Sequence, residues 1–146
     1  MSEITRRGIA QWDGDLKGGK GTISSGSGSL KDQAYSVPSR FESGQGTNPE
    51  ELIAAAHASC FSMMLAKVLG DQNVKPQRIR TEAILTMRVD TSGPKISKVH
   101  LSTAVTAAGL DAAGLQKAAE QAKEKCPVSV LLKPGLESLS FEARLG

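Results

Sequence analysis

The sequence predicts one domain of mixed helix and strand, and three patterns predict it. Residues 4 to 42 are rich in Gly, Ser and Thr, with turn signals at Asp13-Gly14, Gly18-Gly19 and Gly26-Ser27-Gly28, which describe a meander of short strands. The period changes at Thr47-Asn48-Pro49-Glu50-Glu51, which offers an N-cap residue, a proline for the first helical position and acids for the first turn. Beyond residue 78, apolar and polar side chains alternate through two long segments joined by a ready turn, Thr91-Ser92-Gly93-Pro94. A length of 146 residues suits a single domain over 1–146 with one core. With 39% hydrophobic and 23% charged residues the chain is too apolar to be disordered.

The first strands are expected at about 4 to 12, 20 to 25 and 34 to 41, with Pro38 placing the third at an edge or beside a bulge. The helix that starts at Thr47-Asn48 is expected to run to about Leu69 and stop at Gly70. Its middle, LIAAAHASCFSMMLA, is apolar or small nearly all the way round, and such a helix must be covered on every face. One sheet in so short a chain covers one side. A partner subunit is expected on the other, which predicts a homodimer with this helix at or near its centre.

Arg78 to Asp90 and Ile96 to Ala107 then form a hairpin, with Ile79, Thr81, Ala83, Leu85, Met87 and Val89 on one face of its first strand. The second strand alternates through Val99, Leu101, Thr103 and Val105. A second helix is expected from Asp111 to Cys126, where Pro127 ends it. Its stripe, Leu115, Ala118, Ala119, Ala122 and Cys126, is narrow and small-sided, suited to close packing. A helical turn around Val128 to Lys133, the pair Pro134-Gly135 and a strand from Leu136 to Leu145 complete the chain.

Composition narrows the function. The net charge of +3, from 18 basic and 15 acidic residues without a block of either sign, is too small to argue for nucleic acid. The aromatic residues (Trp12, Tyr35, Phe41, Phe61, Phe141) are scattered and make no stacking platform. The N-terminal segment lacks the apolar run of a secretory signal, so the expected compartment is the cytoplasm. The longest uncharged stretch, Leu52 to Ala66, is short for a membrane span and reads as a buried helix. In a reducing compartment two cysteines 66 positions apart are either inert buried thiols or a working redox pair.

Three other chemistries are set aside. Gly14-Asp15-Leu16-Lys17-Gly18-Gly19-Lys20-Gly21 nearly matches a phosphate-binding loop, but Gly21 has no hydroxyl for a magnesium ion and no apolar helix follows, so it reads as a hairpin turn. His57, His100, Cys60 and Cys126 lack the spacing of a zinc site, and no metal is expected. No G-x-S-x-G is present for a serine hydrolase. Cys60 and Cys126 remain. Both lie on apolar faces, where a free thiol is often inert; redox chemistry at Cys60 needs a cation, because a position three turns into a helix gains little from the dipole.

Several spaced motifs carry a family resemblance: Gln11-Trp12-Asp13-Gly14, Gly19-Lys20-Gly21-Thr22, Ser39-Arg40-Phe41-Glu42, Gly46-Thr47-Asn48-Pro49-Glu50-Glu51-Leu52-Ile53, Ala55-Ala56-His57-Ala58-Ser59-Cys60-Phe61-Ser62-Met63 and Lys125-Cys126-Pro127-Val128-Ser129. In this order the chain resembles the osmotically inducible protein OsmC family, to which the organic hydroperoxide resistance proteins are related. The resemblance implies an α+β fold of curved antiparallel sheets around central buried helices, in an intertwined homodimer. It also implies a thiol peroxidase that reduces organic hydroperoxides, and hydrogen peroxide more weakly, without a cofactor. The organic hydroperoxide resistance branch has its arginine nearer the N-terminus and a tyrosine in place of His57, so the chain looks like the OsmC branch.

By the same resemblance Cys60 is the peroxidatic thiol, Cys126 the resolving thiol, Arg40 the cation and Glu50 the carboxylate that holds it, through a bidentate contact. Cys60 would become a sulfenic acid, condense with Cys126 to a disulfide and be restored by an external dithiol. If the helix register is off by one, Glu51 takes the place of Glu50. Ten residues separate Glu50 from Cys60, about 15 Å of rise on one helix, so either the helix is bent or Arg40 and Glu50 reach Cys60 from the other subunit, and the second is the reading favoured. His57 is read as a packed or hydrogen-bonded helix residue. Phe61, Met63 and Leu52 are expected to give the site an apolar lining. Two rivals stand: a non-enzymatic stress protein that binds an apolar ligand or a partner, and a redox sensor that reacts once.

Overall fold

In the computed structural model, which describes residues 1–146, the chain runs β1 (Gly8–Asp13), β2 (Lys20–Ser25), β3 (Gln33–Tyr35), α1 (Val37–Phe41), α2 (Pro49–Asp71), β4 (Pro76–Asp90), β5 (Gly93–Ala107), α3 (Ala112–Lys125), α4 (Pro127–Leu132), a 3-10 turn (Lys133–Gly135) and β6 (Ser138–Leu145). The fold is α+β, with two three-stranded sheets, β1-β2-β3 and β4-β5-β6. The elements fall into two units, Met1–Leu52 and Ile53–Gly146, and α2 begins in the first and runs on through the second.

The first unit is the expected meander. β1 and β2 pair antiparallel from Gly8 with Ser25 to Asp13 with Lys20, so the near-match to a phosphate loop is a hairpin connection followed by a strand. Gly21 is required here, because a Cβ would lie 2.4 Å from the ring of Tyr35, the residue paired with it in β3. Trp12 packs against the same tyrosine, with ring centroids 5.4 Å apart.

The third strand departs from expectation. It ends at Tyr35, and the segment assigned to its second half is α1. Pro38 sits in the first turn of that helix, where its fixed φ is favourable and its missing N–H costs nothing. Ser36 caps it: the Ser36 hydroxyl accepts from the Ser39 N–H while the Ser39 hydroxyl accepts from the Ser36 N–H, a closed capping box. A proline that reads as a strand-edge signal is in fact a helix-start signal.

Asn48 caps α2, its Oδ1 accepting from the Glu51 N–H at 2.8 Å. The helix passes Gly70 and stops at Asp71. Asn73, with φ of 61°, closes it, and the N–H groups of Asn73 and Val74 bond back to Gly70 and Leu69.

In the second unit β4 and β5 form the long hairpin, each of 15 residues, through a two-residue connection between Asp90 and Gly93. β6 pairs with β5 in parallel, from Lys98 with Ser138 to Val105 with Leu145, so this sheet is mixed rather than wholly antiparallel. The chain leaves β5 and returns through α3 and α4, a helical crossover that brings the next strand in with the same direction. One sheet face is wet and carries Arg80, Glu82, Ile84, Lys98 and Glu142. The other packs on the helices: Val99, Leu101 and Val105 of β5 meet Phe61, Leu65, Val68 and Leu69 of α2 and Leu115, Ala118, Ala119 and Ala122 of α3.

That core covers one stripe of α2. Ala55, Ala56, Ser59 and Met63 stand on the uncovered side, Met63 with 78% of its surface open. By length and composition α2 could span a membrane, yet its His57, Phe61, Leu65, Val68 and Leu69 are buried among neighbouring elements. Phe61, expected to line the site, is fully buried in the core instead, because it lies on the same stripe as Leu65 and Val68.

Candidate active site

Cys60 comes from the middle of α2. Cys126 sits at the joint between α3 and α4, ending the first and preceding the second. Its backbone is extended (φ −60°, ψ 120°), as a residue before proline prefers, so the chain turns at the sulfur and not after it. The two Sγ atoms lie 3.0 Å apart, both as free thiols. A disulfide needs about 2.05 Å, so the pair is poised within about one ångström of a bond. Cys126 has no exposed surface, whereas Cys60 is half-buried.

Burial pushes the Cys60 thiol up from its ordinary range. The hydrogen bond with Cys126 adds to that, while the Val128 N–H in the first turn of α4 donates to Cys60 and pulls it down. Val128 was not anticipated from the sequence, since a backbone donor carries no residue signature.

A second contact joins the same two elements. His57 Nε2 and Ser129 Oγ are 2.7 Å apart, and both side chains are buried. Burial lowers the His57 pKa, so the ring is neutral at neutral pH, and its Nδ1 is buried without a partner. His57 is thus the hydrogen-bonded helix residue that the sequence suggested, but its partner lies 72 positions away.

Arg40 and Glu50 form a site of their own in the first unit. Arg40 ends α1 and Glu50 lies in the first turn of α2; Asn48 ties the two together by donating from Nδ2 to the Ser39 carbonyl at 3.1 Å while it caps α2. Arg40 donates through Nε to Glu50 at 2.8 Å, and its Nη2 makes an ion pair with the same carboxylate at 2.8 Å. Both reach Oε1, so the contact is not the two-oxygen fork expected, and Oε2 is buried without a partner. Glu50 is 10% exposed and Arg40 39%. The neighbouring acid is occupied elsewhere, Thr47 donating to Glu51 Oε1 at 2.6 Å.

Arg40 also lines a cavity of about 420 Å³ with Trp12, Leu16, Tyr35, Val37 and Phe41. Its walls are mostly apolar, with Ser36 and the guanidinium among the polar groups, and the guanidinium stands 5.2 Å above the Phe41 ring. No group of three or more His, Cys, Asp or Glu side chains is gathered as a ligand set.

A family model described as OsmC-like protein matches residues 42–138. The chain is 45% identical over 130 residues to the protein named Peroxiredoxin OsmC of Escherichia coli, covering 89% of this chain and 91% of that one. It is 33% identical over 115 residues to the Organic hydroperoxide resistance protein OhrB of Bacillus subtilis, covering 77% of this chain and 82% of that one. The crystal structure of that OhrB superposes with a TM-score of 0.69 at 26% identity, over 95% of this chain and 98% of the other.

Proposed function

Because the chain belongs to the OsmC-like family, we propose that it is a cysteine-based peroxidase that reduces organic hydroperoxides to alcohols in the cytoplasm, working as a single domain in a homodimer and drawing electrons from an external dithiol. The observation that carries this reading is the 3.0 Å approach of Cys60 and Cys126, two free thiols from elements 66 positions apart. The names of the relatives, a peroxiredoxin and an organic hydroperoxide resistance protein, support the same chemistry.

The Cys60 thiolate attacks one peroxide oxygen. The O–O bond breaks, the alkoxide leaves and is protonated to the alcohol, and Cys60 becomes a sulfenic acid. Cys126 then attacks that sulfur; the S–S bond forms, the S–O bond breaks and water leaves. A dithiol reduces the disulfide by two exchanges and departs as its own disulfide.

The groups that act on Cys60 within its own unit leave the thiol raised, so the thiolate needs a cation from elsewhere. Arg40, oriented by Glu50, is that cation and also stabilises charge on the leaving oxygen. α2 is continuous from Pro49 to Asp71, and ten residues of helix are about 15 Å, so the pair serves Cys60 of the partner subunit. The open apolar side of α2, with Ala55, Ala56 and Met63, supports a helix-centred dimer. The cavity beside Arg40 takes the carbon part of the substrate, which favours bulky organic hydroperoxides over hydrogen peroxide.

The test is consumption of cumene hydroperoxide with excess dithiol, in wild type, Cys60→Ser and Cys126→Ser, together with a thiol count after one equivalent of oxidant. Turnover that vanishes in Cys60→Ser, with two thiols lost per wild-type subunit, supports the peroxidase. Both thiols intact and no turnover in folded protein would favour a binding protein. Oxidation once, with no reduction by any dithiol, would favour a sensor.

A further inference from the structure

α4 is six residues long and only one of them, Ser129, is buried; Val130 and Leu131 stand exposed at 57% and 75%. Its one fully buried side chain is therefore tied to α2 by the hydrogen bond between Ser129 and His57, beside the Val128 N–H that donates to Cys60. The placement of this bond relative to the thiols is regular. His57 precedes Cys60 by three residues, about one turn of α2, and Ser129 follows Cys126 by three. The S···S contact at 3.0 Å and the N···O contact at 2.7 Å are two rungs, one turn apart, between the same pair of elements.

We propose that His57 and Ser129 are positioning residues for the resolving step: their hydrogen bond holds the α4 start against α2 and thereby keeps the Cys126 sulfur within reach of an oxidised Cys60. This rests on the peroxidase reading of the two cysteines. Attack on the peroxide needs Cys60 alone, whereas the second step needs two sulfurs brought into line, the kind of step that loses about a hundredfold when a reacting group drifts by an ångström. The imidazole is neutral near pH 7, so the rung keeps its form while the thiols titrate.

Ser129→Ala removes one oxygen and leaves the rest of the packing in place; His57→Gln is a second, independent break in the geometry. Each folded variant is compared with wild type in three readouts: loss of the first thiol to cumene hydroperoxide, loss of the second thiol, and closure of the disulfide by diamide, which needs no peroxidase chemistry. The expected result is first-thiol loss within about twofold of wild type. Second-thiol loss and diamide closure are slower by about tenfold or more, and Cys60 sulfinic acid accumulates as a gain of two oxygens in the protein mass under excess hydroperoxide. A merely structural role would slow both thiol losses together or lower the melting temperature without touching either, and either outcome overturns the proposal. So does closure at the wild-type rate. If cumene hydroperoxide spends no thiol in wild type, the peroxidase reading fails, and the diamide comparison alone still decides the rung.

Discussion

Arg40 places Nε and Nη2 each 2.8 Å from one oxygen of Glu50, the first as a hydrogen bond and the second as an ion pair, and the other carboxylate oxygen is buried with no partner. A carboxylate left half-satisfied fixes one edge of the guanidinium and leaves the opposite edge free to meet a developing charge. Glu50→Gln keeps the shape but loses the charge that anchors the guanidinium, and kcat/KM for cumene hydroperoxide should fall about tenfold to a hundredfold. Arg40→Lys should lose at least as much, since a point charge cannot set two nitrogens against Glu50 and keep a second edge free. Stopped-flow peroxide consumption checks both. Wild-type rates in either variant would remove the ion pair from the mechanism.

Service across the subunits has its own signature. If the protein is the homodimer proposed, the Arg40→Ala and Cys60→Ser proteins should each be nearly inactive. Mixed and allowed to exchange subunits, they form heterodimers in which one site has both groups intact, so activity should return. A pair acting within one chain would return none. Met63→Glu, which places a charge on the open side of α2, should shift the protein to monomer in analytical ultracentrifugation and lose activity with it.

Cys60 ionises late in its own surroundings, because burial and Cys126 push it up. If a partner guanidinium offsets this, Arg40→Ala must move the inflection of Cys60 alkylation by iodoacetamide to higher pH. An unchanged inflection would mean that the guanidinium does not act on the thiol.

His57 makes stability depend on pH in a direction that can be worked out. Its folded pKa is below the ordinary value of 6.5, so between the two values the unfolded chain binds more protons than the folded one. Stability is therefore fully present above about pH 6.5 and is lost as pH falls through that window towards the folded value. The melting temperature should decline on acidification from pH 7, and His57→Gln should flatten the decline. Calorimetry at several pH values checks this.

Asn48 both caps α2 and bonds the carbonyl of Ser39, one residue from Arg40. Asn48→Ala should cost about 1 kcal/mol of stability, or about 3 °C in melting temperature. Peroxidase activity should fall by more than that loss explains, since the Arg40 end of α1 loses its tie to α2.

Residue pattern made the two helices, the long hairpin and its face legible, because burial on one side imposes a period that local chemistry repeats. The strand expected over 34 to 41 failed where two rules compete. Pro38 is compatible with a strand edge and with a first helical turn, and what decides is the reciprocal bonding of Ser36 and Ser39, which is visible as a pattern only if one looks for a helix. The direction of β6 was not legible either, since alternation gives a face and not an orientation. At the site, residue types were readable and neighbourhoods were not: nothing along the chain marks Ser129 as the partner of His57, and Phe61 looked like a pocket wall until its stripe placed it in the core.

Cys126 belongs to the interior of neither helix; the helical hydrogen bonds on either side of it run Cys126 to Ala122 and Val130 to Cys126 and never span the turn itself. A sulfur mounted on such an articulation can swing towards Cys60 and back by small rotations at a single residue, with both helical ladders left whole. On the peroxidase reading proposed, forming and reducing the Cys60–Cys126 bond then leaves no helix to melt and rewind.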